Sequence, residues 1–325
     1  MTNGKLLQPR LFTRRRAITI LAASAGAALL SARAPEDGLF EWNGIALGAD
    51  ARILLPGDDR ERAEAAIAAS LAEIARLEAI FSLYDENSEL VRLNRDKWLA
   101  APSQDMRQLL RLCQMVHRAT GRLFDPTVQR LWRLYFDWFS EGHRTMPAQA
   151  ADLTASIGFE RVSFSEEGVR IPSGAELSFN GVAQGYITDR VAEVLQRHGL
   201  SQVLIDIGEV RALGGRQNGT PWQVSLRESG VRVPLHNRAL AVSAGESLVF
   251  SRENGLTHIL DPKTGFSQAY WRSLAVEHAS AAAADALSTA LYLADVRGIA
   301  RSAIAFSPAI IRACGSHGAP RTFTA

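Results

Sequence analysis

From Arg60 to Phe81 the apolar residues Ala63, Ile67, Leu71, Ile74 and Ile80 return at helical spacing among Glu and Arg, which predicts a long amphipathic helix. A second helical period runs from Ser103 to Thr120, with Ser103 as its N-cap and Gly121 just past its end. Aromatic residues then crowd Leu131 to Phe139, at a spacing that favours packing over a cofactor wall. After Arg161 the period changes. Short runs at Val162–Phe164, Val169–Ile171 and Glu176–Phe179 predict strands, and a helix follows from Ala183 to His198, stopped by Gly199. Further strands are expected at Val203–Asp206, Val210–Leu213, Trp222–Leu226, Val231–Leu235, Ala239–Ser243 and Ser273–Glu277, before an Ala-rich helix from Ala281 to Ala294. Near the start, Phe40–Leu55 reads as short strands around an Asn43-Gly44 turn. Helices first, then hairpin-linked strands with returning helices, predict a mixed α+β fold with largely antiparallel sheets rather than a doubly wound parallel one.

Composition changes this picture at one end. The 325 residues are 47% hydrophobic, enough for a sizeable core. The first 34 carry six Lys/Arg and no acid, and Arg14, Arg15 and Arg16 precede the uncharged run Ala17–Ser31. That run is too short for a comfortable membrane span, so residues 1–34 read as a twin-arginine-type signal peptide and 35–325 as the working domain. The expectation is a periplasmic protein, with membrane association through an uncleaved leader as the alternative. Removing those six cations leaves 30 basic against 34 acidic residues, a net of −4, which excludes a nucleic-acid role. Two cysteines, Cys113 and Cys314, make no disulfide framework, and Cys113 sits in an apolar helical stretch as a small hydrophobe.

Five segments carry candidate chemistry. Asp285 and Thr289 are four apart on the Ala-rich helix, so they share a face and offer hard oxygen ligands suited to Mg²⁺. A capping or dipole role for Asp285 explains the spacing as well. His258 stands at a strand edge before the tight turn Asp261–Gly265, where an imidazole could act as general base or as an ordinary hydrogen-bonded histidine. Asn180–Tyr186 places Gly181 and Gly185 at a strand-to-helix junction, open to close ligand approach but not a dinucleotide fingerprint. Tyr84 and Phe124 could flank an aromatic ligand, with Asp125 accepting its hydrogen bonds; Asp125-Pro126-Thr127 also reads as a plain helix start.

Taken in order, these segments closely resemble the ApbE family of FAD:protein FMN transferases. The pieces that carry the resemblance are F-S-x-Y-x-x-x-S-E-L-x-R-L-N, F-D-P-T-V, N-G-x-A-x-G-Y-x-x-D, H-x-x-D-P-x-T-G and A-D-A-L-x-T-A, spread from Leu47 past Thr289. The resemblance implies a two-lobed ApbE-like fold and Mg²⁺-dependent transfer of FMN from FAD, the substrate, to a Ser/Thr hydroxyl of an acceptor protein, with release of AMP. It implies Mg²⁺ ligands at Asp285, Thr289 and the Gly181 carbonyl, with Ser288 beside them. It implies flavin contacts at Leu47, Tyr84, Leu123, Phe124, Asp125, Ser178 and Gln184, and transfer assisted by His258. The acceptors it implies are mainly subunits of membrane redox complexes, and a twin-arginine leader resembles the exported branch tied to nitrous-oxide respiration. The chain departs from the family with Ser178 for the usual Asp, Gln184 for Lys or Glu, Leu47-Gly48-Ala49 for Met-Gly-Thr, one glycine near Gly208 for two, and Ser243-Ala244-Gly245 for Thr-Ser-Gly. The alternatives are a Mg²⁺-dependent FAD pyrophosphatase and a non-catalytic flavin-binding or trafficking protein.

Overall fold

A computed structural model describes residues 38–46, 49–226, 230–315 and 320–324. The leader and Leu47 lie outside the described residues. Strands β1 (Leu39–Ala46) and β2 (Ala49–Pro56) open the chain as an antiparallel pair in which Ala46 faces Ala49. The Asn43-Gly44 turn is therefore a correction: Asn43 pairs with Arg52 and Gly44 with Ala51 in mid-strand. Gly44 serves packing instead, since a Cβ there would stand 2.3 Å from the Trp42 indole.

Helix α1 (Arg60–Phe81) matches the predicted period and is capped by Asp59, whose carboxylate accepts from the Arg62 N–H. Next come α2 (Glu89–Asp96), β3 (Trp98–Ala100) and α3 (Gln104–Ala119), the last capped by Ser103 as expected, with Gly121 at φ +61° past its end. The aromatic segment forms α4 (Gln129–Ser140), followed by α5 (Ala150–Ala155) and the short strands β4 (Ser163–Phe164) and β5 (Gly168–Arg170). The strand expected at Glu176–Phe179 reduces to one bridge between Val128 and Glu176. The Asn94 side-chain amide serves the backbone there, donating to the Leu177 carbonyl at 2.9 Å and accepting its N–H at 2.7 Å.

Helix α6 (Ala183–Arg197) leads to β6 (Val203–Asp206), β7 (Val210–Leu213), the hairpin β8 (Trp222–Ser225) and β9 (Arg232–Leu235), and β10 (Ala239–Ser243). After β11 (Val249–Ser251) and β12 (Leu256–Thr257) come β13 (Ser273–His278), α7 (Ala281–Tyr292), α8 (Val296–Ala305), β14 (Ile310–Cys314) and β15 (Arg321–Thr324). One wholly antiparallel sheet joins eight strands in the order β1-β2-β6-β7-β10-β13-β14-β15. The period of two divides its side chains between two faces. Ile53, Ile205, Ala241 and Val276 face the main core beneath α1, α6 and α7, whereas Leu54, Ala212, Leu240 and Ala275 face the β8–β9 hairpin with Trp222, Val233 and Leu235. The Ala content of α7 follows from its place in the middle: every residue of it except Thr289 is buried. Among the described residues no helix is long and apolar enough to cross a membrane.

Candidate active site

Helix α6, with the turn just before it, runs so close to α7 that three contacts, spaced by four residues along each segment, form a ladder. At one rung a Cβ on Gly181 would lie 2.9 Å from Thr289 Oγ1. At the next, the Gly185 N–H donates to Asp285 Oδ2 at 3.0 Å, and a Cβ on Gly185 would reach within 2.3 Å of the Ala281 carbonyl oxygen. At the third, the Asp189 carboxylate takes Ser280 Oγ–H at 2.7 Å and the Ala281 and Ala282 N–H groups at 2.8 and 3.1 Å, while Arg211 donates to it at 2.7 Å. Asp189 thus caps α7 from a neighbouring helix. The ladder brings Gly181, Asp285 and Thr289 together. Ser288 is close but occupied: its hydroxyl meets Ser243 Oγ at 2.8 Å and donates to the Asp285 carbonyl at 3.0 Å.

Charge at this crossing is one-sided. Asp285 is 4% exposed and Glu209, on the β6–β7 turn, 8%. Burial lifts the Asp285 carboxyl above the usual carboxylate range. Burial, then the charges of Asp285 and Asp206, lift Glu209 well above it too. Among the described residues no cationic side chain pairs with Asp285 or Glu209. A buried carboxylate, an acidic neighbour and Thr289, the one half-buried residue of α7, form a hard-oxygen donor set lacking positive charge, which fits a divalent cation such as Mg²⁺. Gln184 packs against Gly208, where a Cβ would come within 2.6 Å of its Nε2.

The flavin-contact candidates converge from three motifs. The Ser178 N–H donates to the Pro126 carbonyl at 2.8 Å, joining it to the loop that carries Leu123, Phe124 and Asp125. Phe81 meets Phe179 edge-on at 5.8 Å, which sets the turn bearing Tyr84 beside the same segment. Tyr84 is 52% exposed and Leu123 half-buried, so both can meet a ligand. Phe124 and Asp125 are buried. Asp125 Oδ1 accepts from the Thr127 N–H and hydroxyl at 2.8 and 2.6 Å, and Oδ2 from the Phe159 N–H at 2.9 Å, so its carboxylate locks the loop. A cavity of about 480 Å³ lies between this loop and the Asp261–Gly265 turn, lined by Leu123, Asp261, Lys263, Tyr270 and Arg301. Asp285 and His258 do not line it.

His258 directly follows β12. Its Nδ1–H donates to the Leu248 carbonyl at 3.1 Å, which leaves Nε2 as the unprotonated nitrogen of the neutral ring. Burial holds its pKa below the ordinary 6.5. The segment is tied to α7, because Gly245 donates its N–H to the Tyr292 hydroxyl at 3.1 Å. Asp261 and Gly265 make the expected turn: the Lys263 N–H donates to Asp261 Oδ1 at 2.8 Å, and Gly265 takes φ +74°. Glu209, Ser243 and Tyr292 were not among the site candidates, Ser243 entering only as a departure from the family pattern, as each joins the site only through the fold; an acid one residue after a turn glycine is the sole signal Glu209 offers.

The ApbE family model matches residues 47–307, most of the chain. The chain belongs to the ApbE family. The Haemophilus influenzae FAD:protein FMN transferase is 29% identical over 66% of this chain and 68% of its own length. The Chlamydia pneumoniae FAD:protein FMN transferase is 24% identical over 68% of this chain and 73% of its own. In fold, the chain matches the Pseudomonas stutzeri flavinyl transferase ApbE in its apo form with a TM-score of 0.72 at 24% identity, covering 89% of this chain and 95% of that one. The ApbE protein of Thermotoga maritima gives 0.75 at 24% identity, covering 88% and 97%. Membership places the chain among enzymes.

Proposed function

We propose that this ApbE-family chain transfers FMN from FAD to a Ser or Thr hydroxyl of an acceptor protein, with Mg²⁺ bound at the α6–α7 crossing. The observation that carries the reading is that crossing: a buried, cation-poor Asp285 beside Thr289, the one residue of α7 that reaches the surface, with Gly181 against it. Asp285, Thr289 and the Gly181 carbonyl would hold Mg²⁺, which supplies positive charge to offset that of the pyrophosphate. Tyr84 and Leu123 bind the flavin part of the substrate. The acceptor oxygen attacks the FMN phosphorus, the bond to the AMP phosphate oxygen breaks, and the acceptor proton passes to His258 Nε2. Burial keeps His258 neutral and able to accept it. The products are a phosphoester between FMN and the acceptor, and AMP.

The arginine-rich leader supports export to the periplasm and an acceptor in a membrane redox complex. The deciding experiment mixes the chain with FAD, Mg²⁺ and a fragment bearing the acceptor hydroxyl, and follows the fragment's intact mass. The expected gain is FMN less water, lost with EDTA and in Asp285→Ala. Free FMN and AMP without a mass gain would instead make the chain a pyrophosphatase. Bound FAD with neither product would make it a flavin carrier.

A further inference from the structure

A second cluster of ligating groups lies behind the flavin loop, apart from the Asp285 crossing. His117, in the last turn of α3, is buried to 3% exposure. Its Nδ1–H donates to the Phe124 carbonyl at 2.8 Å. A carbonyl can only accept, so in the neutral ring Nδ1 holds the proton and Nε2 presents a bare lone pair. That Nε2 is buried without a hydrogen-bond partner. It faces Glu160 Oε2 at 3.5 Å, while Arg122 reaches the other oxygen, Oε1, at 3.4 Å. Two lone-pair donors facing each other repel unless a positive charge stands between them.

The spacing suits a metal ion. Zinc bonds of about 2.0–2.1 Å to nitrogen and oxygen, at the tetrahedral angle, place two ligand atoms roughly 3.3 Å apart. Asp125 stands on the Nδ1 side of the ring, its Oδ2 3.6 Å from that nitrogen, and one ligand atom from each of His117, Asp125 and Glu160 falls within 4.8 Å of the other two. The surroundings supply the supports that ligands of a metal usually have. The backbone carbonyl of Phe124 orients the imidazole. The N–H groups of Thr127 and Phe159 orient the Asp125 carboxylate.

We propose that His117 Nε2 and Glu160, with the Asp125 carboxylate beside the ring, form a binding site for Zn²⁺, distinct from the proposed Mg²⁺ site. An imidazole with two carboxylates selects Zn²⁺ over Mg²⁺, which takes oxygen ligands. Bound there, the ion ties together the end of α3, the loop carrying Leu123 and Phe124, and the turn Phe159–Arg161. It stiffens the flavin loop from behind and takes no part in phosphoryl transfer.

The test uses the chain carrying Asp285→Ala, so that the α6–α7 crossing takes up no metal. Stripped of metal by a chelator, it is titrated with Co²⁺ as a visible probe and then with Zn²⁺, with thermal melts alongside. The expected result is one equivalent of Co²⁺ with tetrahedral absorption bands, bleached by Zn²⁺, and a higher Tm with Zn²⁺. Adding His117→Gln should abolish the bands. Adding Glu160→Gln, on a half-exposed side chain whose loss spares the fold, should weaken binding by more than about tenfold and cancel the Tm shift. Absence of the bands in the parent would overturn the proposal and leave a proton on Nε2 as what joins His117 to Glu160. Bands and Tm shift untouched by Glu160→Gln would overturn it too.

Discussion

Replacing Gly185 by Ala adds one methyl group at the tightest point of the α6–α7 crossing. The new Cβ would lie 2.3 Å from the Ala281 oxygen, 2.6 Å from its carbonyl carbon and 2.8 Å from the Ala282 Cα. All three are backbone atoms, so no side chain can swing aside. Restoring an ordinary contact of 3.4 Å from 2.3 Å requires the helices to part by about 1.1 Å. Overpacking of this kind costs about 1–3 kcal/mol, and replacing a helical glycine by alanine returns up to about 1 kcal/mol. Net destabilisation should therefore stay below about 2 kcal/mol. Activity should suffer far more, because the same shift lengthens the Gly185–Asp285 bond and moves Asp285 and Thr289 away from Gly181. Misplacement near 1 Å at a reacting site costs roughly 10²-fold. The assay is FMN transfer over a Mg²⁺ titration with parallel thermal melts. A small drop in Tm, a large drop in rate and a Mg²⁺ curve moved to higher concentration are expected. Parent-like rate and Mg²⁺ dependence would refute the idea that the crossing sets the metal geometry.

Asp189→Ala removes the carboxylate that accepts the first N–H groups of α7, leaving Ser280 as its only cap, and leaves Arg211 without this carboxylate; it should cost about 0.5–2 kcal/mol and weaken Mg²⁺ binding, with partial rescue by Asp189→Asn, read by calorimetry and melts. His258 has its folded pKa below the unfolded 6.5, so the folded chain takes up its proton later on acidification. Stability should fall as pH drops below about 6.5, and the acid limb of the transfer rate should lie below that pH; in His258→Gln the rate should fall by about 10²-fold or more and lose that limb. Asp285 and Glu209 have the opposite sign, with folded pKa values above the unfolded 3.8 and 4.5. In EDTA the chain should therefore melt higher at about pH 5 than at about pH 8, and Mg²⁺ should remove most of that difference; a melting temperature that rises with pH in EDTA would count against the buried acid pair.

Periodicity carried the helices well where one element faces both core and solvent. Helix α1 matches its predicted bounds, since its buried stripe of Ala63, Ile67, Ile74 and Leu77 is written at helical spacing. Local pattern failed where a distant side chain took over the backbone. Glu176–Phe179 has the alternation of a strand, yet Asn94, far back in the chain, satisfies Leu177 in place of a neighbouring strand. Gly44 has the sequence of a turn, yet the glycine makes room for Trp42 within β1. At the end of the chain, α8, β14 and β15 went unassigned because their runs are short and become legible only as the sheet's far edge.

The site divides along the same line. Asp285 and Thr289 share a face by spacing alone, but spacing cannot say whether that face meets water, core or another acid. The fold answers by burying all of α7 except Thr289 and by setting Glu209 near Asp285. The glycines show the same limit in reverse. Gly181 and Gly185 looked like ligand approach points, whereas each is closed by a helix: Thr289 crowds one and Ala281 the other. In the proposed reading, the cation is then brought to the phosphates by the tightness of a helix crossing rather than by an open loop. It also gives the departures of this chain a physical reading. Ser178 and Gln184 change groups at the rim, the first joined to the flavin loop and the second packed on Gly208, while Gly181, Gly185, Asp189, Asp285 and Thr289, which set the crossing itself, are all present. With Mg²⁺ at the crossing as proposed, a chain altered at the rim but intact at the ladder should differ from its relatives in how it holds FAD sooner than in its Mg²⁺ dependence.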